Sequence, residues 1–141
     1  MRIKYLWALG TIGVFTLMWI LSHTPGMESD FMPAVDFVLR KGAHMFIFMV
    51  QYLVLFLWLL PVSLKHISSE EWIRIHAHTF MWVFLIALLD EWHQSWIPTR
   101  SAEPLDVLYN VVGCLCAYMI LYVIWMIYQD QFGYEGRVNT Y

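Results

Sequence analysis

The hydrophobic positions of the chain form long uncharged runs that predict membrane-spanning helices. Residues 5–21, 45–64 and 107–129 contain no Asp, Glu, Lys or Arg over 17, 20 and 23 positions. Because about 20 apolar residues cross a hydrocarbon core roughly 30 Å thick, each run is long enough for a transmembrane helix. The pattern therefore predicts at least three spans.

A fourth run, 79–89, has only 11 uncharged residues and covers about half a bilayer at a rise of about 1.5 Å per residue. Ser68 and Glu71 have the spacing of a capping box, which predicts that a longer helix begins there and continues to about Ser95. Such a helix would span the membrane; the alternative is a helix that enters and leaves on one side. The predicted helices cover about 5–22, 34–60, 69–95 and 104–129, and a polar tail covers 130–141.

Composition supports the membrane interpretation. Hydrophobic residues make up 60% of the 141 positions and charged residues 13%, against about 45–50% and about 25% in soluble domains. The net charge is −3 and no basic block is present, so nucleic acid is not expected as a partner. The predicted fold class is all-α: one integral membrane bundle of four transmembrane helices over 1–141.

The basic residues predict the orientation of this bundle, because loops rich in Lys and Arg stay in the cytoplasm. With both termini cytoplasmic, five basic residues lie inside and three outside. The inner ones are Arg2, Lys4, Lys65, Arg74 and Arg137, and the outer ones are Arg40, Lys41 and Arg100.

Polar residues concentrate where the second and fourth helices begin and the third ends. In an up-and-down bundle these ends lie on one side of the membrane. A charge in hydrocarbon is costly, so these groups should pair with one another or line a hydrated cavity. The ligand-binding candidates are Arg40, Lys41, His44, Asp90, Glu91, Gln94, Arg100, Asp106 and Asn110.

Small residues continue the polar face of the fourth helix. Asp106, Asn110, Gly113 and Ala117 are spaced i, i+4, i+7 and i+11, which places them on one stripe. Gly113 and Ala117 are expected to let a neighbouring helix pack closely.

The segments 40–44 (RKGAH), 90–100 (DEWHQSWIPTR) and 106–113 (DVLYNVVG) resemble the VanZ-like family of small bacterial membrane proteins. The resemblance covers about residues 40–117. It implies a multi-pass protein of the bacterial cell membrane and an association with resistance to the glycopeptide teicoplanin.

Three interpretations of the polar cluster remain open. In the first, the cluster consists of ion pairs that only hold the helices together. In the second, it forms a ligand-binding pocket at the extracytoplasmic face. In the third, it is the active site of a hydrolase or transferase acting on a phosphorylated lipid. Candidate ligands of the pocket are a membrane lipid head group, a cell-wall precursor or a glycopeptide, bound by Arg and Lys through phosphate or carboxylate groups. The catalytic candidates, which also form a weak metal-ligand set, are His44, Asp90, Glu91 and His93.

No cofactor motif is present, and no HExxH or Cys-rich metal spacing is found. His76 and His78, two residues apart, point in different directions on a helix and are interpreted as interfacial side chains rather than a metal pair.

Overall fold

The computed structural model describes residues 2–23, 33–60, 67–97 and 103–133, and it contains the four predicted helices. They are α1 (Arg2–His23), α2 (Pro33–Leu59), α3 (Ser69–Gln94) and α4 (Pro104–Gly133). All four are long and apolar enough to cross a membrane, which confirms the all-α class and the four-helix prediction. Helix α1 begins earlier than expected, and α4 continues into the predicted tail, whose residues 134–141 lie outside the described part.

The predicted capping box starts α3. The Ser68 hydroxyl accepts a hydrogen bond from the Glu71 amide at 3.2 Å, and the Glu71 carboxylate accepts from the Ser68 amide at 3.1 Å. These bonds satisfy two backbone groups that a helix N-terminus leaves without partners. From there α3 runs unbroken for 26 residues, so it matches a span and not a helix that turns back to its own side.

The helices alternate in direction around α2, which contacts all three others. Near the end of α2, Tyr52 and Phe56 contact His76 and Trp72 near the start of α3. Helices α2 and α4 run parallel and make the most extensive contact. Helix α1 packs on α2 and α3 and makes no contact with α4 in the described part of the chain. The arrangement is the up-and-down bundle that places the polar ends together.

The close approach of α2 and α4 occurs at the predicted small residues. A Cβ atom at Gly113 would lie 3.0 Å from the carbonyl carbon of Met45 and closer still to its oxygen. Ala117, one turn further along α4, is fully buried. The prediction that Gly113 and Ala117 permit tight packing is therefore confirmed.

The outer surface of the bundle is apolar. Large hydrophobic side chains on all four helices are about half to two-thirds exposed, for example Leu9 at 64%, Val38 at 66% and Ile127 at 52%. A soluble protein rarely exposes apolar patches of this extent, whereas lipid solvates them. The chain is thus a multi-pass membrane protein.

The interfacial interpretation of the two histidines is wrong for His76. His78 is exposed, but His76 is only 6% exposed and lies among the rings of Tyr52, Phe56 and Trp72. Its Nδ1 is 2.7 Å from the Tyr52 hydroxyl. The spacing alone indicated that the two rings point apart, and the burial of the first follows from its position on the face of α3 that packs against α2.

Candidate functional site

The predicted site residues with described positions lie at one end of the bundle, where α1 and α3 end and α2 and α4 begin. They are Arg40, Lys41, His44, Asp90, Glu91, His93, Gln94, Asp106 and Asn110. Arg100 lies outside the described residues. The antiparallel order of the helices, and not proximity in sequence, brings the nine together.

Lys41 forms the charged centre that joins α2 to α4. Its ammonium group pairs with Asp106 and lies 3.1 Å from a carboxylate oxygen of Glu103. The rings of Phe37 and Tyr109 flank it at 5.3 and 5.6 Å from their centroids. The Lys41 side chain is only 12% exposed, so two carboxylates and two ring faces replace most of its water.

A second set of contacts joins α3 to α1. The Gln94 amide donates a hydrogen bond to Asp90 at 2.7 Å and a longer one to the Ser22 hydroxyl at 3.4 Å. Asp90 and Gln94 are i and i+4 on α3, so their side chains share a face. All three residues are buried, which makes this a polar link inside the bundle.

His93 faces α1. Its ring stacks on Trp19 at 3.9 Å between centroids and on His23 at 5.5 Å. Its Nδ1 atom is buried and has no hydrogen-bond partner among the residues that the structure describes. The structure therefore places His93 in an aromatic stack and not in a hydrogen-bonded pair with a carboxylate.

Besides His93, three residues at this end carry buried polar atoms without hydrogen-bond partners among the described residues, and we call them the acceptor cluster: Asp90, Glu91 and Asn110. The unpartnered atoms are Oδ1 of Asp90, both carboxylate oxygens of Glu91, and the amide oxygen and nitrogen of Asn110. Asp90 and Asn110 are 0% exposed. Glu91 is only half-buried; it interacts with the backbone of Glu103 and lies within electrostatic range of Asp90, Asp106 and Lys41. Leaving such groups buried without partners costs about 1–3 kcal/mol each, so the cluster is not explained by stability.

A cavity of about 190 Å³ opens between α1 and α2 at the same end of the bundle. Most of its wall is apolar, and Ser22, Arg40 and His44 supply polar groups. Ser22 also belongs to the link with Gln94, so the cavity and the acceptor cluster are connected through two side chains. The lining residues are Met18, Leu21, Ser22, Arg40, Ala43, His44 and Ile47.

The geometry does not gather the metal-ligand candidates. Among the described residues, no three His, Cys, Asp or Glu side chains are placed to share a metal ion. His44 lines the cavity between α1 and α2, whereas His93 stacks on Trp19.

Sequence reasoning missed the contributions of α1 and of the residue before α4. Trp19, Ser22 and His23 reach the site from α1, and Glu103 pairs with Lys41. Trp19, Ser22 and His23 are spaced i, i+3 and i+4 at the end of an apolar run. This spacing was a usable signal, because it places three residues able to make polar or stacking contacts on one side of a helix. Glu103 sits beside the first turn of α4, where a negative charge is favourable.

Comparison with known proteins gives one family. No curated protein and no solved structure matches the chain. The model of the family described as VanZ/LLP1 matches residues 5–126, which include α2 and α3 and most of α1 and α4. Because this match covers most of the chain, the protein belongs to the VanZ/LLP1 family and is a VanZ-like membrane protein.

Proposed function

We propose that this protein binds the polar head group of a lipid or lipid-linked cell-wall precursor at the polar end of the bundle. The observation that carries the proposal is the cavity between α1 and α2, which combines an apolar wall with Arg40 and His44. An amphiphile needs both parts, an apolar surface for its chain and a cation for its phosphate or carboxylate. Arg suits this task because its guanidinium binds such groups through two parallel hydrogen bonds.

The acceptor cluster supports binding over a purely structural role. Lys41 with Asp106, and Gln94 with Asp90, account for part of the polar inventory as helix-joining contacts. They leave Oδ1 of Asp90 and both polar side-chain atoms of Asn110 buried without hydrogen-bond partners in the described part of the chain. A ligand that supplies the missing partners gives these residues a function that packing does not.

The predicted orientation places this end of the bundle at the extracytoplasmic face of a bacterial cell membrane. There it would meet the outer leaflet, in which cell-wall precursors and lipid-bearing glycopeptides are found. We therefore propose that the protein contributes to glycopeptide resistance, teicoplanin being the compound that the family resemblance indicates. The lipid tail of teicoplanin fits a mechanism at the membrane surface.

Hydrolysis or transfer at a lipid phosphate is the alternative function, and the same carboxylates and histidines would serve it. A general base must lie within hydrogen-bond reach of the proton it removes. The aromatic stack of His93 with Trp19 and His23 favours binding over catalysis, because it turns that ring towards α1.

The test is to purify the protein from bacterial membranes in mild detergent and to identify the lipids retained by mass spectrometry. We expect an anionic or zwitterionic phospholipid or precursor to be retained, and Arg40→Gln to lower that retention about tenfold, as loss of a charge-assisted hydrogen bond would. Arg74→Gln is the matched control, because Arg74 is exposed near the opposite end of the bundle. Equal retention in the two variants contradicts the proposal. Conversion of the added lipid into a product by the wild-type protein favours the enzyme alternative.

A further inference from the structure

The cavity between α1 and α2 extends along the axis of the bundle. On α2 its lining residues fall on one stripe that begins at Arg40, continues through Ala43 and ends at Ile47. Arg40 and Ile47 are seven residues apart, which corresponds to about 10 Å at a rise of about 1.5 Å per residue. Met18 and Ser22, one turn apart on α1, form the facing wall. The cavity therefore extends inward from the polar end, in the direction that lipid chains take in a bilayer.

The length and the volume of the cavity lead to the same number of carbon atoms. An extended hydrocarbon chain advances about 1.25 Å per carbon, because its bonds are about 1.5 Å long and tetrahedral, so about 10 Å of wall accommodates about eight carbons. An apolar cavity of about 150 Å³ holds one benzene molecule, which has six carbons, so the volume of about 190 Å³ also accommodates about eight. Because the two values agree, the carbons fill the cavity in single file. No volume is left for a second chain or for methyl branches.

The wall changes from polar to apolar along this direction. Arg40 lies at the polar end of the bundle, whereas Met18 and Ile47 lie at the deep end of the cavity. Leu21 is 51% exposed and Ala43 is also exposed, so the outer side of the cavity faces lipid. A chain can therefore enter sideways from the bilayer, with its head group at Arg40. Since half of the hydrocarbon core is about 15 Å thick, the remainder of a long chain continues into the bilayer.

We propose that this cavity selects an unbranched acyl chain, of which it holds about the first eight carbons after the head group. The inference rests on the proposed lipid binding and names the class of ligand: acyl lipids, and not polyprenyl-linked compounds, whose chains carry a methyl branch on every fourth carbon. A diacyl lipid places one chain in the cavity and leaves the other in the bilayer.

The experiment is a competition between two phosphatidylglycerols that differ only in methyl branches. One carries palmitoyl chains, and the other carries phytanoyl chains, which have the same number of main-chain carbons and a methyl group on every fourth one. Purified, delipidated protein is exposed to equal amounts in mixed micelles, and bound lipid is counted by native mass spectrometry. We expect the straight-chain lipid to be retained at least about tenfold over the branched one, because one methyl group too many or too few in an apolar pocket changes binding about 10–200-fold. Equal retention overturns the inference, and a preference for the branched lipid overturns it in favour of a polyprenyl chain.

Ile47→Ala tests whether the deep end of the cavity causes the selection. Ile47 is half-buried, and its truncation provides the volume that a methyl branch needs. We expect this variant to retain lipid and to bind both chains about equally. Leu39→Ala is the matched control, because Leu39 is on the same helix, is 65% exposed and does not line this cavity. The inference is contradicted if Ile47→Ala keeps the full preference, or if Leu39→Ala loses it to the same extent.

A second variant decides the question if Ile47→Ala does not fold. Ala43→Leu adds a side chain at an exposed position of the cavity wall, where the fold does not depend on a small residue. It fills part of the single-file space, so we expect retention of both lipids to fall about tenfold. Unchanged retention in Ala43→Leu means that the chain lies elsewhere.

The competition also separates this inference from the proposed function. If both lipids are retained equally and Arg40→Gln lowers their retention, lipid binding is supported and the chain selection is contradicted. Retention of neither lipid contradicts both proposals.

Discussion

Replacing Gly113 by Ala should force α2 and α4 apart. The new Cβ would lie 3.0 Å from the carbonyl carbon of Met45 and closer to its oxygen, whereas non-bonded carbon atoms prefer about 3.5–4.0 Å. The obstacle is backbone, so no side-chain rotation removes it. The two helices must separate by about 0.5–1 Å at this point, which weakens the dispersion contacts on either side of it.

The expected loss of unfolding free energy follows from two opposing effects. Overpacking of this kind costs about 1–3 kcal/mol, and the higher helix propensity of Ala returns up to about 1 kcal/mol. Gly13→Ala isolates the second effect, because a Cβ at Gly13 meets nothing within 4 Å. The difference between the two variants should therefore equal the packing cost alone, about 1–3 kcal/mol.

The assay is equilibrium unfolding of the detergent-solubilised protein by a denaturing detergent, followed by circular dichroism and tryptophan fluorescence. We expect Gly113→Ala to unfold at a lower denaturant fraction than the wild type, and Gly13→Ala at an equal or higher one. If the two variants unfold together, the close approach of α2 and α4 at Met45 is not what limits substitution at Gly113.

Three further outcomes are expected. Lys41→Met should lower the unfolding free energy by about 2 kcal/mol, between the values for surface and buried ion pairs, because Asp106 loses its cation; addition of Asp106→Asn should recover part of that loss in the same unfolding assay. Tyr52→Phe should cost about 1 kcal/mol by removing the hydroxyl bonded to His76, and a neutral effect would show that this bond adds nothing. A Cys at Thr99 should react with a membrane-impermeant maleimide in intact cells, whereas labelling only after permeabilisation would reverse the predicted orientation.

The helices could be predicted from sequence because their determinants are local. The lengths of three uncharged runs predicted three spans, and the Ser68 and Glu71 pair predicted the fourth by fixing the start of α3 through bonds within four residues. The stripe containing Gly113 also needed only helical spacing and the use of small residues at membrane helix contacts.

Apart from this stripe of α4, the rotation of the helices could not be predicted, and the errors arise there. In water, apolar residues mark the buried face of a helix, but in lipid they cover both the buried and the exposed face. For that reason nothing in the sequence indicated that His76 faces inward, and the spacing on α1 could bring Trp19 to the polar end without showing that it stacks on His93. The polar residues were reliable indicators because lipid excludes them, so the convergence at one end was predictable and the individual partners were not.

The sign of one substitution separates a structural cluster from a ligand site. Asn110→Leu replaces a fully buried amide with an apolar side chain of similar size. If the amide awaits a ligand, its removal should raise the unfolding free energy of the lipid-free protein by about 1–3 kcal/mol, because the desolvation cost of two unpartnered atoms disappears. Asp106→Leu, one turn away on the same stripe, should have the opposite sign, because it leaves Lys41 without one of its two carboxylates. Both variants are measured in delipidated protein, and the Asn110 variant is measured again with added bacterial phospholipid, where its advantage over the wild type should shrink or vanish. A loss of stability in Asn110→Leu equal to that in Asp106→Leu would mean that the amide serves the fold, and would count against a ligand site at this end of the bundle.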